Sequence, residues 1–315
     1  KYVQGLPLYR LEQMFKSEGI DISRDKMSRW IIDLSDKCGK IHQLCHQQLL
    51  SGDYISMDET RLQVNKEKGR AAHQKSYMLV KGREGPPGQS IVLFHYEPSR
   101  STETITKYLK GFRGHLTTDG LEVYQTFSRM NPGIIHGGCL SHARRKFDEA
   151  IKGSKKKKDS TAEQFLAWIR DIFAIERELV NLSLNEIWEK RQSETKVIIE
   201  LMDKEINDKI ARIPKKSLTG KGLHYLVNQW DYLTRFIDYP VLKIHNNFTE
   251  NQIRPYVIGR KAWLFADTVG GANANAVFYS LAAMTKKNGL KFYDYMCHVL
   301  SNLENSSETL LPLKS

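Results

Sequence analysis

The sequence predicts an α/β fold in which a mixed sheet is flanked by helices, and three observations carry that expectation. Between Asp53 and Pro98 the chain passes through the β-rich stretches DYISMDETRLQV, SYMLVKG and SIVLFHYEP, divided by turn-forming residues. From Ser99 to Cys139 helical and strand-like stretches alternate. On either side of this region apolar residues recur at helical spacing instead.

The first segment, LPLYRLEQMFKSEGIDISRDKMSRWIIDLSDKCGKIHQLCHQQLL, reads as helices. Leu8, Leu11, Met14 and Phe15 share a face, Gly19 stops the helix, and Ser23 suits the N-cap of the next. Helix, glycine-containing turn, helix is the helix-turn-helix outline, and it is equally the outline of two packed structural helices. Arg24, Lys26 and Arg29 on the second helix keep DNA contact open beside plain packing.

The three β-rich stretches form consecutive antiparallel strands, with REGPPGQ as the hairpin connection between the second and third. SRSTETITKYLKGF is a helix capped by a serine or threonine, and HLTTDG is a short strand ending in a turn. LEVYQTFSRM is a helix and PGIIHGGC another strand. The order β-β-β-α-β-α-β, a mixed sheet crossed by helices, is that of a ribonuclease-H-like domain. After Cys139 the pattern is helical. GSKKKKDS, Gly153 to Ser160, interrupts it as a solvated basic loop, and Thr161 to about Ile237 resembles an all-helical insertion. The tail GANANAVFYSLAAMTKKNGLKFYDYMCHVLSNL reads as two helices separated at Asn288-Gly289. The expected division is therefore 1–50, N-terminal helices with the helix-turn-helix outline; 51–152, the first part of the ribonuclease-H-like domain; 153–240, the helical insertion; and 241–315, the helix in HNNFTENQIRPYVIGRKAWLF and the C-terminal helices.

Composition narrows the partners. The 315 residues are 40% apolar, enough for a sizeable core. Lys and Arg outnumber Asp and Glu by 48 to 36, a formal charge of +12 that favours a polyanion such as nucleic acid. No apolar run is long enough to span a bilayer, and KYVQGLPLYRLEQ lacks the layout of a signal peptide, so a cytosolic, nucleoid-associated protein with no membrane partner is expected. The 4 cysteines, Cys38, Cys45, Cys139 and Cys297, are too scattered for a disulfide scaffold and agree with a reducing compartment. The chain opens mid-pattern on Lys1 rather than Met, which points to a piece of a longer polypeptide.

Three acids stand out. Asp58 lies mid-strand in YISMDETRL, where acids are disfavoured, and shares its parity with Ser56 and Thr60. Asp119 ends the strand in LTTDGLEVY; sheets with parallel strands place ligands off such ends, and Asp-Gly is equally a common turn pair. Glu250 sits in HNNFTENQIRPYVIGRKAWLF, among amides and followed by Arg254, Arg260 and Lys261; taken alone it is a surface helix residue. An acid on the first strand, one after the fourth and one on a helix after the fifth can converge where hard oxygen ligands would hold Mg²⁺ or Mn²⁺.

MDET, TDGLEVY, GCLSHARRKF, NNFTENQIRPYVIGRKAWLF and SLAAMTKKNGLKFYDYM, in this order, resemble the transposases of the insertion sequence 66 family over about Leu6 to Leu300. The resemblance implies a ribonuclease-H-like catalytic domain with Asp58, Asp119 and Glu250 as an Asp-Asp-Glu triad holding Mg²⁺ or Mn²⁺, two ions in all. It implies metal-dependent cleavage at insertion-sequence ends and strand transfer into target DNA, by a dimer or higher oligomer on double-stranded DNA. A nuclease that cuts without joining, or an inactive DNA-binding repressor, are the alternatives. Family members usually carry an N-terminal extension with a zinc-finger-like segment, which this sequence does not contain. On this reading Arg254, Arg260 and Lys261 approach phosphates, and Asn246 and Asn247 bond DNA or cap the helix of Glu250. Trp263 and Phe265 fit a core better than a stacking platform. Arg144, Arg145 and Lys146 are further candidate phosphate contacts. His136, Cys139 and His142 have metal-like spacing, but zinc wants four ligands and no nearby pair completes the set. A packed Cys139 and a hydrogen-bonded His142 supporting the active-site fold are expected instead, as in the Cys-x-x-His pair of several eukaryotic transposase superfamilies.

Overall fold

The computed structural model describes residues 1–153, 160–303 and 307–313. The run expected as a solvated basic loop lies, at 154–159, outside the described residues. In chain order the elements begin with α1 (Leu8–Ser17), α2 (Arg24–Lys37), α3 (Gly39–Leu50), β1 (Tyr54–Lys66), β2 (Lys75–Arg83), β3 (Ile91–Glu97) and α4 (Thr102–Tyr108). They continue with β4 (Gly114–Thr117), α5 (Glu122–Met130), β5 (Ile134–Gly137), α6 (Leu140–Gly153), α7 (Ser160–Glu178), α8 (Leu184–Lys190), α9 (Lys196–Lys209) and α10 (Leu218–Thr234). The last are α11 (Asn247–Trp263), β6 (Ala266–Thr268), α12 (Val269–Lys287) and α13 (Phe292–Ser301). They form two compact units, Lys1–Arg113 with Asn247–Ser315, and Gly114–Asn246.

In the first unit α1 ends where Gly19, at φ 76°, takes the left-handed conformation that a side chain would oppose, and the Ser23 side chain accepts from Lys26 N to start α2. The expected antiparallel trio forms: β1 pairs with β2 with Asp58 opposite Val80, and β2 with β3 with Val80 opposite Phe94. Ile55, Met57, Leu79, Val80 and Phe94 have no exposed surface, and burial of the neighbours Leu79 and Val80 shows that the sheet is covered on both faces. A strand not anticipated from the sequence, β6, adds parallel to β1 with Ala266 opposite Val64, making the sheet mixed. It is too short for any periodicity to announce. Leu264 makes it possible by turning at φ 64° directly after α11, a strained conformation for leucine that leaves its side chain exposed.

Helices close this sheet. Along β3, Ser280 Oγ of α12 accepts from Phe94 N at 2.8 Å. Asn288, at the end of α12, accepts from Ser90 N at 2.9 Å and donates to Ser90 O at 3.0 Å and Pro312 O at 2.8 Å. Lys81 alternates to the face opposite Val80, where it is fully buried, donating to Tyr108 O and bonding His46 Nε2, each at 2.6 Å. Burial lowers its affinity for a proton far below that of an ordinary lysine.

In the second unit β4 and β5 run parallel, Leu116 opposite His136, with α5 as the crossover that parallel pairing demands. The remaining helices bury one apolar cluster, including Phe147, Phe165, Ile169, Met202, Leu223 and Leu226. Phe147 stacks on Phe165 at 5.0 Å, and a Cβ on Gly222 would fall 2.9 Å from the Phe147 ring, so the glycine permits α10 to approach α6. A π-helical turn, Arg191–Thr195, joins α8 to α9. Arg191 is fully buried there, paired with both Glu176 oxygens at 2.7 Å and donating to Phe236 O, Tyr239 O and Leu242 O. A buried guanidinium is tolerable only with its donors satisfied in this way. The chain is thus a mixed α/β protein whose sheet strands are flanked by helices.

Candidate active site

Asp58 and Glu250 fall in the first unit, on a strand and a helix fastened to each other. Ser56 and Thr60 flank Asp58 on the same face of β1. The Ser56 hydroxyl bonds the Thr249 hydroxyl in α11, both groups buried, and also donates to Gly82 O at 3.2 Å. At the other end of α11, Arg260 Nη1 donates to Thr60 Oγ1 at 2.9 Å and to Arg61 O. The helix is therefore held along β1 on both sides of Asp58. Glu250, next to Thr249, occupies the first turn of α11, and both acids are half-buried.

Gly82 makes that contact possible. A Cβ there would lie 2.5 Å from Ile91 O and 2.9 Å from Phe248 Cε1, so Phe248 packs onto the strand only because the position has no side chain. Lys287 lies over the same ring at 5.0 Å and bonds Glu84. Glu59, one residue from Asp58, alternates to the opposite face and pairs with Arg100 at 2.6 Å. Neighbouring acids on one strand thus have different surroundings.

Asp119 falls in the second unit, two residues beyond the end of β4. Its Oδ1 accepts from Leu121 N at 3.0 Å, an Asx turn that leads into α5 and leaves the second oxygen for another ligand. The turn is braced from behind. Thr118 Oγ1 donates to Asp119 O at 2.9 Å and bonds His136 Nε2 at 2.8 Å. His136 is completely buried, and burial, reinforced by the Arg235 guanidinium, pushes its pKa down to about 3. Its Nε2 bonds Thr118 and its Nδ1 lies 3.5 Å from Ser128 Oγ, so both ring nitrogens are engaged within the unit. Asp119, His142, Arg145, Lys146 and Tyr225 line one cleft of about 400 Å³ in this unit.

The remaining expected residues separate by environment. Arg144 and Arg145 are exposed on α6, and Lys146 is half-buried with its ammonium 4.9 Å from the centre of the Tyr225 ring. Arg254 and Lys261 are exposed on α11. Arg260 is half-buried and engaged with β1, so its guanidinium works first as a fastening within the unit. Asn246 is fully buried immediately before α11, while Asn247 is the first residue of that helix. Cys139 is buried just before α6, and His142 N donates to its carbonyl at 3.2 Å. Trp263 packs edge-on against Tyr256 at 5.5 Å, as a core residue would. Phe265 departs from that expectation: it is 42% exposed, because the turn at Leu264 swings it outward.

Tyr225 and Gln229, one turn apart on α10, were not foreseen. Gln229 donates to Gly120 O at 3.3 Å and accepts from Gln125, tying the Asp119 turn to the helix. In the sequence both sit within an ordinary amphipathic run, and no motif singles them out. Carboxylates are hard oxygen donors, of the kind that suits Mg²⁺ or Mn²⁺ and not a soft thiophilic metal.

The chain belongs to the transposase IS66 family, whose family model matches residues 1–274. That family consists of DNA-processing enzymes that generally use a divalent metal. Among similar proteins of Sinorhizobium fredii (strain NBRC 101917 / NGR234), the uncharacterized protein y4qI is 28% identical over 96% of this chain and 57% of its own length. The uncharacterized protein y4jD is 26% identical over 100% of this chain and 63% of its own, and y4hP is 22% identical over 99% and 59%. The chain thus spans about three-fifths of the relatives it matches.

Proposed function

We propose that this chain is the catalytic part of a DNA transposase, cleaving strands at the ends of an insertion sequence and joining them to target DNA in a ribonuclease-H-like active site. The observation that carries the reading is family membership together with the positions of the acids. Asp58 is on the first strand, Asp119 follows the fourth, and Glu250 lies in the first turn of the helix fastened beside Asp58. Asp58, Asp119 and Glu250 would hold two divalent cations, which supply Lewis-acid stabilisation of charge on the reacting phosphate. In the first reaction water attacks the phosphorus, its proton passing to solvent, and the 3′-oxygen leaves as a hydroxyl. In the second that hydroxyl attacks a target phosphodiester and displaces its 3′-oxygen. The chain's own cations, Arg144, Arg145, Arg254 and Lys261, hold the backbone in register. The segment 153–240 acts as a helical insertion, and a dimer or higher oligomer brings two ends together. No helix among the described residues is long and apolar enough to cross a membrane, consistent with action on DNA in the cytosol.

The test is a paired-end cleavage and strand-transfer assay on Asp58→Asn, Asp119→Asn and Glu250→Gln, with DNA binding measured alongside. Each variant should lose both reactions while binding DNA as well as the parent or slightly better, since a negative charge facing phosphates is removed. Glu122→Gln, at the exposed start of α5, should stay active. Full activity in Glu250→Gln would end the triad assignment, and cleavage without joining by the parent would make the protein a nuclease.

A further inference from the structure

The cleft around Asp119 contains a polar group that the reading above does not use. Tyr225 Oη, on α10, is buried from solvent and makes no hydrogen bond among the described residues. It stands at the Asp119 turn: a Cβ built on Gly120 would meet Tyr225 Oη at 3.0 Å and Gln229 Cδ at 3.1 Å. The absence of a side chain at position 120 is what lets the turn come this close. A tyrosine hydroxyl carries its proton at neutral pH. An O–H that stays protonated is a donor, and a buried donor without an acceptor costs stability. Lys146 lies over the face of the same ring, and Arg145 lines the same cleft.

These groups describe a half-built anion site. Arg145, Lys146 and one unpaired donor face a cleft that also holds the acids Asp119 and Glu149, and an anionic oxygen would satisfy the donor. The Asp119 turn is fixed by Gln229, so the spacing between Asp119 and Tyr225 does not depend on exposed side chains.

We infer that Tyr225 binds substrate directly, its hydroxyl donating to a non-bridging oxygen of the DNA phosphodiester held at Asp119. Helix α10 thereby contributes a residue to the active site as well as packing against it. The inference rests on the proposed role of Asp119 and adds to it a substrate contact from the helical segment. Gln229 and Gly120 are positioning residues for that contact.

The experiment compares the parent chain with Tyr225→Phe, which removes only the oxygen and keeps the ring beneath Lys146. Three quantities are measured: the melting temperature, the affinity for the dinucleoside phosphodiester TpT by calorimetry in EDTA, and the nicking rate on supercoiled plasmid in Mn²⁺. The hydroxyl is unpaired in the free protein, so the melting temperature should hold or rise. TpT affinity and nicking rate should each fall by about tenfold or more, the loss expected of a hydrogen bond to a charged group. Unchanged TpT affinity in the variant, or no TpT binding by the parent, overturns the inference. So does a lower melting temperature, which would make the hydroxyl structural. Asp119→Asn is run in parallel: if it nicks normally, the role of Asp119 fails. If it is inactive while Tyr225→Phe matches the parent, only the role of Tyr225 fails.

Discussion

Buried titratable side chains set how this protein responds to pH. On the face of the first unit's sheet opposite Val80, His42, His46 and His95 crowd around Lys81, with ring centres of His42 and His46 4.9 Å and 5.3 Å from that of His95. Burial, aided by Lys81, pushes His42 and His46 down to about 4, and His95 well below its usual range. Their neighbours are Tyr108, which donates to Glu97 at 2.6 Å, and Lys107, which pairs with the same carboxylate. A histidine whose pKa is lower in the folded state binds protons more readily when unfolded, so stability rises with pH across the interval between the two values. The folded protein should therefore weaken progressively from about pH 6.5 down to about pH 4, by a few kcal/mol in all. Lys81 has the same sign over a higher window, so stability keeps climbing above neutrality until tyrosines begin to ionise. Urea unfolding midpoints across this range check the trend, and His42→Gln should flatten its acid limb. A profile unchanged between neutrality and pH 4 would mean that the cluster titrates normally.

At the scale of elements, the decisive contact is the seating of α11 on β1 and β2. Hydrogen bonds at Ser56 and Thr60 bracket Asp58, and Phe248 rests where Gly82 has no side chain. Gly82→Ala cannot be absorbed by a flexible side chain, because the nearer obstacle is the Ile91 carbonyl. The substitution should cost about 1–3 kcal/mol, the usual range for overpacking. Displacing Phe248 also displaces Glu250 two residues on, so strand cleavage should fall more than a hundredfold even below the melting transition, since ångström errors at a reacting centre are costly. Chemical denaturation and single-turnover cleavage measured on the same preparation test the pair of effects. A destabilised variant with normal cleavage would separate the helix seat from the chemistry.

For the whole molecule the governing quantity is charge. On the proposed function, a formal excess of 12 cations should give the protein an attraction for DNA that reflects counterion release more than base reading. Arg144 and Arg145 are exposed on α6, the helix that also carries Arg145 and Lys146 to the Asp119 cleft. Arg144→Ala or Arg145→Ala should weaken binding to all sequences alike and flatten the plot of log affinity against log salt by about one phosphate contact. Fluorescence anisotropy at several salt concentrations reads both. A changed sequence preference with an unchanged slope would assign the arginine to bases instead.

Much of the architecture was legible in the sequence because its signals are local. β-rich runs between turn-forming residues marked β1 to β3, Ser23 and Ser101 capped α2 and α4 as their hydroxyls suggested, and Asn288-Gly289 ended α12. Of the acids only Asp58, a carboxylate in mid-strand, is conspicuous against local preference; Asp119 in an Asp-Gly pair and Glu250 on a helix are locally ordinary and stand out through the family motifs around them. Long-range decisions were not legible. β6 exists because Leu264 adopts a left-handed turn and the end of β1 offers it partners, neither of which three residues can announce. Nothing near Arg260 in the sequence announces its hydrogen bond to Thr60, and nothing near Tyr225 announces that Gly120 lets the Asp119 turn approach its hydroxyl. The sequence by itself determined most helices, the strands β1 to β5, the basic character and the family motifs, since periodicity, capping and composition act over a few residues or none. Only the tertiary structure decided which polar groups are spent on the fold and which stay available for chemistry, because that depends on what distant segments bring within hydrogen-bonding distance.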